Sequence, residues 1–288
     1  MRKTELFNRE GYLRENYRYF HLRDTAGQER DFHFHEFDKV VILLSGRVDY
    51  SVEDVTYTLK PWDVLLVKHH TIHKALIDQT EPYERVILYL DRNYFDRLMP
   101  QAELFQCFET ADQERQYLFT PDTGQRKILK ETLNACEQAA AEEEIGAQAL
   151  RDALMIQLLV QISRISVQGA AKAQHGETQT DKRIAAALSY INENLTRQLN
   201  VDEIAEQVFL SRYHFMRLFK AQTGVTVHAY IRQKRLLYAS RLIREGMSAA
   251  EAASGSGFSD YSSFHRAFKD CFGISPGQLK GQGALRHP

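Results

Sequence analysis

Cysteine is scarce in this 288-residue chain: there are three, Cys107, Cys136 and Cys271, standing far apart. An odd number without metal-type spacing excludes a disulfide scaffold and a zinc module, and fits reduced thiols in a cytosolic protein. Proline numbers six and glycine 15, too few for a collagenous or proline-rich disordered chain. No apolar run reaches the ~18 residues of a transmembrane helix, and residues 1–9 are too polar for a signal peptide. Also missing are a P-loop, a G-x-S-x-G elbow, an H-E-x-x-H helix and any Cys–His placement suggesting a nucleophile. The chain therefore does not read as an enzyme, and no cofactor and no metal are expected.

At 43% hydrophobic and 26% charged residues the chain is globular, and its length suggests two domains. The net charge of −1 hides an asymmetry. Residues 1–181 carry 22 basic and 30 acidic side chains, whereas residues 182–288 carry 15 basic and 8 acidic. An acidic half joined to a basic half implies that only one end faces a polyanion.

Residues 18–90 read as strands. Val40–Leu44 is an apolar run ended by Ser45-Gly46, and Val48, Tyr50 and Val52 alternate with polar residues. Glu53-Asp54 suits a hairpin turn. Asp91 is placed to cap a short helix, Arg92–Met99, that Pro100 stops. From about 125 to 166 the period becomes helical, with Ile128, Leu129, Leu133 and Cys136 on one stripe and Leu150, Leu154, Leu158 and Ile162 on another. Glu142–Gly146 divides the two, giving an αα-hairpin whose stripes serve either packing within the domain or a dimer seam. Residues 169–181 hold no large apolar side chain and read as a linker.

The basic half repeats itself. At an offset of 49, Phe209/Phe258, Phe215/Phe264, Arg217/Arg266, Phe219/Phe268, Lys220/Lys269 and Gly224/Gly273 coincide. Each unit ends in an amphipathic basic helix, and each glycine falls where a helix C-cap needs positive φ. Capping-box patterns at Asn200–Glu203 and Ser248–Glu251 start a shorter helix before each one, the second turn being longer by one residue. Short helix, tight turn and longer basic helix is the helix-turn-helix pattern. Between the units, residues 227–244 read as one helix bearing Arg232, Lys234, Arg235, Arg241 and Arg244, a rod of roughly 27 Å. Major grooves on one DNA face recur every ~34 Å, so such a rod plus its turns suits two adjacent grooves.

These residues carry a resemblance. The segments IAEQVFLSRYHFMRLFKAQTG and GFSDYSSFHRAFKDCFGISPGQLK make residues 184–282 similar to the DNA-binding domain of AraC/XylS-family transcription regulators. The resemblance implies groove-facing Ser211, Arg212, Tyr213, His214 and Arg217 in the first unit. In the second it implies Ser259, Asp260, Tyr261, Ser262, Ser263, His265 and Arg266. Lys220, Lys269 and the basic residues of 232–244 are expected at phosphates. One departure is that Ala252 and Ser254-Gly255-Ser256 stand where the family has larger or better helix-forming residues, so the second unit is expected to hold its helix less firmly.

Residues 20–90 resemble a cupin barrel, through His33-Phe34-His35, Gly46, Leu59–Asp63 and His73. Metal-binding cupins place an H-x-H pair, a Glu and a later His around one ion; here the Glu position is Lys39, which leaves the ligand set incomplete. An organic-ligand pocket lined by His33, His35, Trp62 and His73 is the leading expectation. A metal-dependent sensor and purely structural histidines are the alternatives. By the same analogy, residues 12–22 form an arm over the pocket mouth.

The resulting expectation is an α+β chain of two domains. Residues 1–168 form a cupin-like β-barrel with an αα-hairpin that senses a ligand and dimerises. Residues 169–181 link it to 182–288, an all-α domain with two helix-turn-helix units joined by a long helix. The expected function is a sequence-specific DNA-binding transcription regulator, an activator of catabolic genes responding to a sugar or metabolite. A cupin metalloenzyme or metal sensor fused to a DNA-binding domain is the alternative. Expected partners are double-stranded promoter DNA, a small-molecule effector, a second copy of the chain and RNA polymerase. No membrane is expected, and the location is cytoplasmic, at the nucleoid.

Overall fold

A computed structural model describes residues 8–9, 13, 15–24, 32–53, 55–78, 80–169 and 181–279. Of the expected linker, 169–181, residues 170–180 lie outside the described residues, as do Tyr12 and Arg14 of the expected arm, while Gly169 ends one helix and Asp181 caps the next. The chain divides into two compact units whose main bodies are residues 34–178 and 179–288.

Ten strands form two five-stranded sheets: β1 (Asn8–Arg9), β2 (Tyr17–Asp24), β3 (His33–Phe34), β4 (Asp38–Ser45), β5 (Val48–Val52), β6 (Val55–Leu59), β7 (Val64–Val67), β8 (His73–Ile77), β9 (Tyr83–Leu90) and β10 (Leu118–Phe119). One sheet has the order β1-β3-β8-β5-β6 and the other β10-β7-β4-β9-β2. The β5–β6 hairpin closes in register Val52↔Val55, with Glu53 at φ 53°. That left-handed value is what a two-residue hairpin loop requires at its first position.

The arm expectation fails for its described part. Residues 17–22 lie in a full strand that pairs with β9 from Tyr17↔Leu90 to Asp24↔Tyr83, because the segment is rich in Tyr and Phe, which favour strands. Along β9, Val86, Leu88 and Leu90 are buried, whereas Ile87 and Tyr89 are half-buried. The first set lies on the face bearing Tyr17, whose ring meets Tyr94 and Phe95 of the covering helices. Ile87 and Tyr89 share the opposite face, which looks between the sheets.

That covering layer comprises α1 (Arg92–Leu98), α2 (Gln106–Glu114), α3 (Thr123–Ala140) and α4 (Ala147–Gly169). Asp91 caps α1 and Asp122 caps α3 through a full capping box. The αα-hairpin forms at the expected place, with a shifted stripe. Met155, Leu158, Leu159, Ile162 and Ile165 are buried, Leu154 is half-buried, and Ile128 and Leu150 are 49% and 42% exposed. A helix of 3.6 residues per turn drifts away from a strict step of four, so the last leucines stay on the core and the first rolls outward.

The second unit consists of α5 (Lys182–Glu193), α6 (Val201–Gln207), α7 (Arg212–Thr223), α8 (Val227–Arg244), α9 (Ala249–Gly255) and α10 (Tyr261–Phe272). Helix α8 is its spine, with Ile231, Gln233, Leu236, Leu237, Ala239, Ser240, Leu242 and Ile243 buried. Helix α9 forms in full despite its polar sequence. Ser248 and Glu251 make a capping box, Ala252 and Ala253 are buried, and Ser256 turns its hydroxyl back to the Ala253 carbonyl. A Cβ on Gly255 would stand 3.4 Å from Leu242. Small residues thus let α9 lie close on α8.

Candidate nucleic-acid interface

Each longer helix is held by its apolar face. Phe215 and Phe219 on α7, and Phe264 and Phe268 on α10, are fully buried, their rings 5.6 Å and 5.4 Å apart. An i, i+4 aromatic pair pointing inward leaves the opposite face to solvent. Both helices end at a left-handed glycine, Gly224 at φ 78° and Gly273 at φ 73°, whose amides return to the Lys220 and Lys269 carbonyls.

The fourteen residues expected at DNA all lie in or beside the N-terminal and outward parts of these helices. His214 and His265 are half-buried and the other twelve are exposed. Their local roles differ. Ser211 caps α7, accepting from the His214 amide. Asp260 caps α10, accepting from the Ser262 and Ser263 amides at 3.3 Å and 2.7 Å. Those hydrogen bonds from Ser263 hold the Asp260 carboxyl below its ordinary range. Asp260 is exposed and caps its own helix, so part of its hydrogen-bonding capacity is already spent there. Arg212 forms a 2.7 Å ion pair with Asp202 on α6, which ties the two helices of the first unit. Among the described residues, Arg217 makes no hydrogen bond or ion pair, so its forked donors are available to an outside acceptor.

Not every arginine of the long helix faces outward. Arg235 donates to the Leu195 carbonyl at 2.9 Å and the Arg197 carbonyl at 2.6 Å, and burial lowers its pKa from the ordinary value. The expectation of a phosphate contact fails for Arg235, because its guanidinium closes the end of α5. Arg232 is half-buried, with its Nε out of solvent. A Cβ on Gly257 would meet Arg235 Nε and the Thr196 carbonyl, each at 2.9 Å. Arg235 is thus the joint between the units, with the first unit's loop on one side and the turn of the second on the other.

The structure also revises the repeat. In the first turn, Phe209 donates to the Glu206 carbonyl and Leu210 to the Ala205 carbonyl; in the second, Gly257 donates to Ser254 and Phe258 to Ala253. Both are Schellman closures. The equivalent pairs are therefore Phe209 with Gly257 and Leu210 with Phe258, an offset of 48, and the shift to 49 comes after the turn. Aromatic identity at an offset of 49 had aligned Phe209 with Phe258 instead.

In the barrel unit, His33, His35 and His73 are buried. The His35 and His73 rings meet edge to face at 4.7 Å, and each Nδ1–H donates to a backbone carbonyl, of Phe37 at 2.6 Å and Thr71 at 2.9 Å. Buried Lys39 donates to the Tyr50 hydroxyl at 2.9 Å, and Tyr50 stacks beside His73. An ammonium at that place suits no cation. Among the described residues no group of three or more His, Cys, Asp and Glu is arranged to hold a metal ion. Trp62 does not join these rings. Its amide donates to Leu43, near the far end of β4 from Phe37, roughly 20 Å along the strand at ~3.3 Å per residue, and Arg126 covers its ring. A cleft of about 290 Å³ lies outside the barrel, lined by Leu104, Val160, Arg164 and Val167 among others, and none of the four expected pocket residues borders it.

Two family models match the chain. The AraC-like ligand binding domain covers residues 16–159 and a helix-turn-helix domain covers residues 204–282. Among curated proteins, the chain is 25% identical over 257 residues to "Probable transcriptional regulator LumQ" of Photobacterium leiognathi, covering 88% of this chain and 93% of that one. It is 26% identical over 250 residues to "HTH-type transcriptional activator RhaS" of Escherichia coli O139:H28, covering 86% of each. Among solved structures, ToxT from Vibrio cholerae matches at 14% identity and a TM-score of 0.34, over 93% of this chain and 98% of that one. With a ligand-binding domain of the AraC type ahead of a tandem helix-turn-helix unit, the chain belongs to the AraC/XylS family of DNA-binding transcription regulators.

Proposed function

We propose that this regulator activates a set of catabolic genes by reading operator DNA with α7 and α10, and that a small organic effector in the barrel sets its affinity. The observation that carries the reading is the pairing of Arg217 and Arg266, exposed one turn and a half into two separately capped helices of one unit. An arginine there reaches a guanine O6/N7 edge when the helix N-terminus enters the major groove. Lys220 and Lys269, one turn further on, are suited to phosphates.

The half-buried inner residues Ile87 and Tyr89, the latter beside the rings of His35 and Phe37, support an organic ligand over a metal. Trp62 takes no part in that pocket. The chemistry of the barrel, with an ammonium among its histidines, supports a sensor over a metalloenzyme. The protein is proposed to act as a homodimer in the cytoplasm, on nucleoid DNA, and to recruit RNA polymerase. Among the described residues no helix is long and apolar enough to cross a membrane.

The test uses the full chain and a duplex it selects from a random pool. Binding is measured with and without each member of a panel of sugars and metabolites, and a thermal shift identifies binders by mass action. Arg217→Ala is expected to flatten the preference at one base pair by about tenfold. Equal weakening on cognate and random DNA would remove Arg217 from base reading.

A further inference from the structure

The most exposed aromatic of the helical unit is Phe209, at 95%, followed by Tyr213 at 77%. Tyr261, at 46%, opens the second recognition helix as Tyr213 nearly opens the first. Large apolar side chains left in water thus gather where the two helices begin. Phe209 has a second peculiarity: its φ is 55°. A bulky residue is a rare occupant of the left-handed region, and a helix C′ position ordinarily takes glycine. The equivalent residue of the second unit is indeed a glycine, Gly257, at φ 89°. The strain at Phe209 thus accompanies a ring that packs against almost nothing within the chain.

We propose that Phe209 is a DNA-contacting residue, placing its ring on the apolar edge of the operator, sugar or thymine methyl, beside the groove that α7 enters. This rests on the reading of α7 as a groove-inserted helix. Phe209 stands two residues before the cap Ser211, and the N-terminal end of a recognition helix is its deepest part. The ring is continuous in sequence with Arg212, Tyr213 and Arg217, so DNA is the occupant the position favours. Contact with apolar DNA surface is read through shape and methyl groups, without displacing counterions. In the second unit Gly257 is enclosed by Arg235 and the Leu195–Thr196 carbonyls, so only the first unit has such a ring.

The experiment compares the full-length wild type with Phe209→Gly, Phe209→Leu and Arg217→Ala on the selected duplex. Fluorescence anisotropy at a series of salt concentrations gives the affinities, and thermal unfolding is measured in parallel. For Phe209→Gly the expected result is an unchanged or higher Tm, affinity about tenfold weaker and an unchanged slope of log Kd against log salt. Phe209→Leu should keep part of the affinity. A Phe209→Gly affinity equal to wild type, with Arg217→Ala still impaired, would overturn the contact while leaving the groove reading in place. Both variants binding as wild type would remove the groove reading itself. A large drop in Tm for Phe209→Gly would assign the ring to folding and likewise overturn the proposal.

Discussion

Glycines at positive φ separate two kinds of demand on a single residue. Gly273 needs only its backbone angle, because a Cβ there would meet nothing within 4 Å. Gly257 needs both the angle and the space. Gly273→Ala should therefore cost about 1 kcal/mol and Gly257→Ala about 3 kcal/mol, the excess being steric, as read by urea unfolding of each variant. Asp38 shows the electrostatic counterpart. Only 1% exposed, its carboxylate accepts from the His69 amide and ring and from Arg92, which also holds Glu109. Burial pushes the carboxyl upward, but His69 and Arg92 outweigh it and bring the pKa down from 3.8 to about 2. A depressed carboxyl stabilises the fold above its unfolded pKa and loses that share as pH falls toward the folded value. The stability gap between wild type and Asp38→Asn should thus shrink by about 2 kcal/mol between pH 4 and pH 2. A gap constant across that window would show that Asp38 does not titrate in it.

At the scale of elements, helices were more legible than the sites they carry. The caps Asp91 and Ser248, the glycine stops and the 227–244 period each state a boundary locally, and the structure has α1, α8 and α9 there. What one sequence could not show is which face of a periodic segment meets the core, since that depends on the neighbour. Leucines at steps of four therefore pointed to Leu150 and Leu158 alike, while the structure buries Leu158 and leaves Leu150 half in water. Leu158→Ala is expected to cost about 3–4 kcal/mol and Leu150→Ala below about 1 kcal/mol, by chemical denaturation of the full chain. The same limit explains Arg235 and Asp260. Both stand where the sequence puts DNA contacts, but Arg235 finds carbonyls at the end of α5 and Asp260 also serves its own helix amides. Trp62 was grouped with the histidines by motif, although the β6–β7 turn carries it to the other end of β4. No local signal distinguishes those outcomes.

For the whole molecule, the charge imbalance between halves and the internal repeat were the readable features, because both survive averaging over many residues. The identity of the effector is not among them, since the side chains that meet between the sheets come from β4, β5, β8 and β9 together. The guanidinium of Arg235, wedged between the loop after α5 and the turn after α9, has one more consequence. Its hydrogen bonds lie between the two helix-turn-helix units, so the proposed pair of reading helices is expected to act as a caliper of fixed opening. Inserting five base pairs between the two sub-sites of an operator rotates one of them about half a helical turn away. Binding to such a duplex should fall to that of a single sub-site, whereas a ten-base-pair insertion, though it restores the rotational phase, should not rescue it, because a caliper cannot stretch.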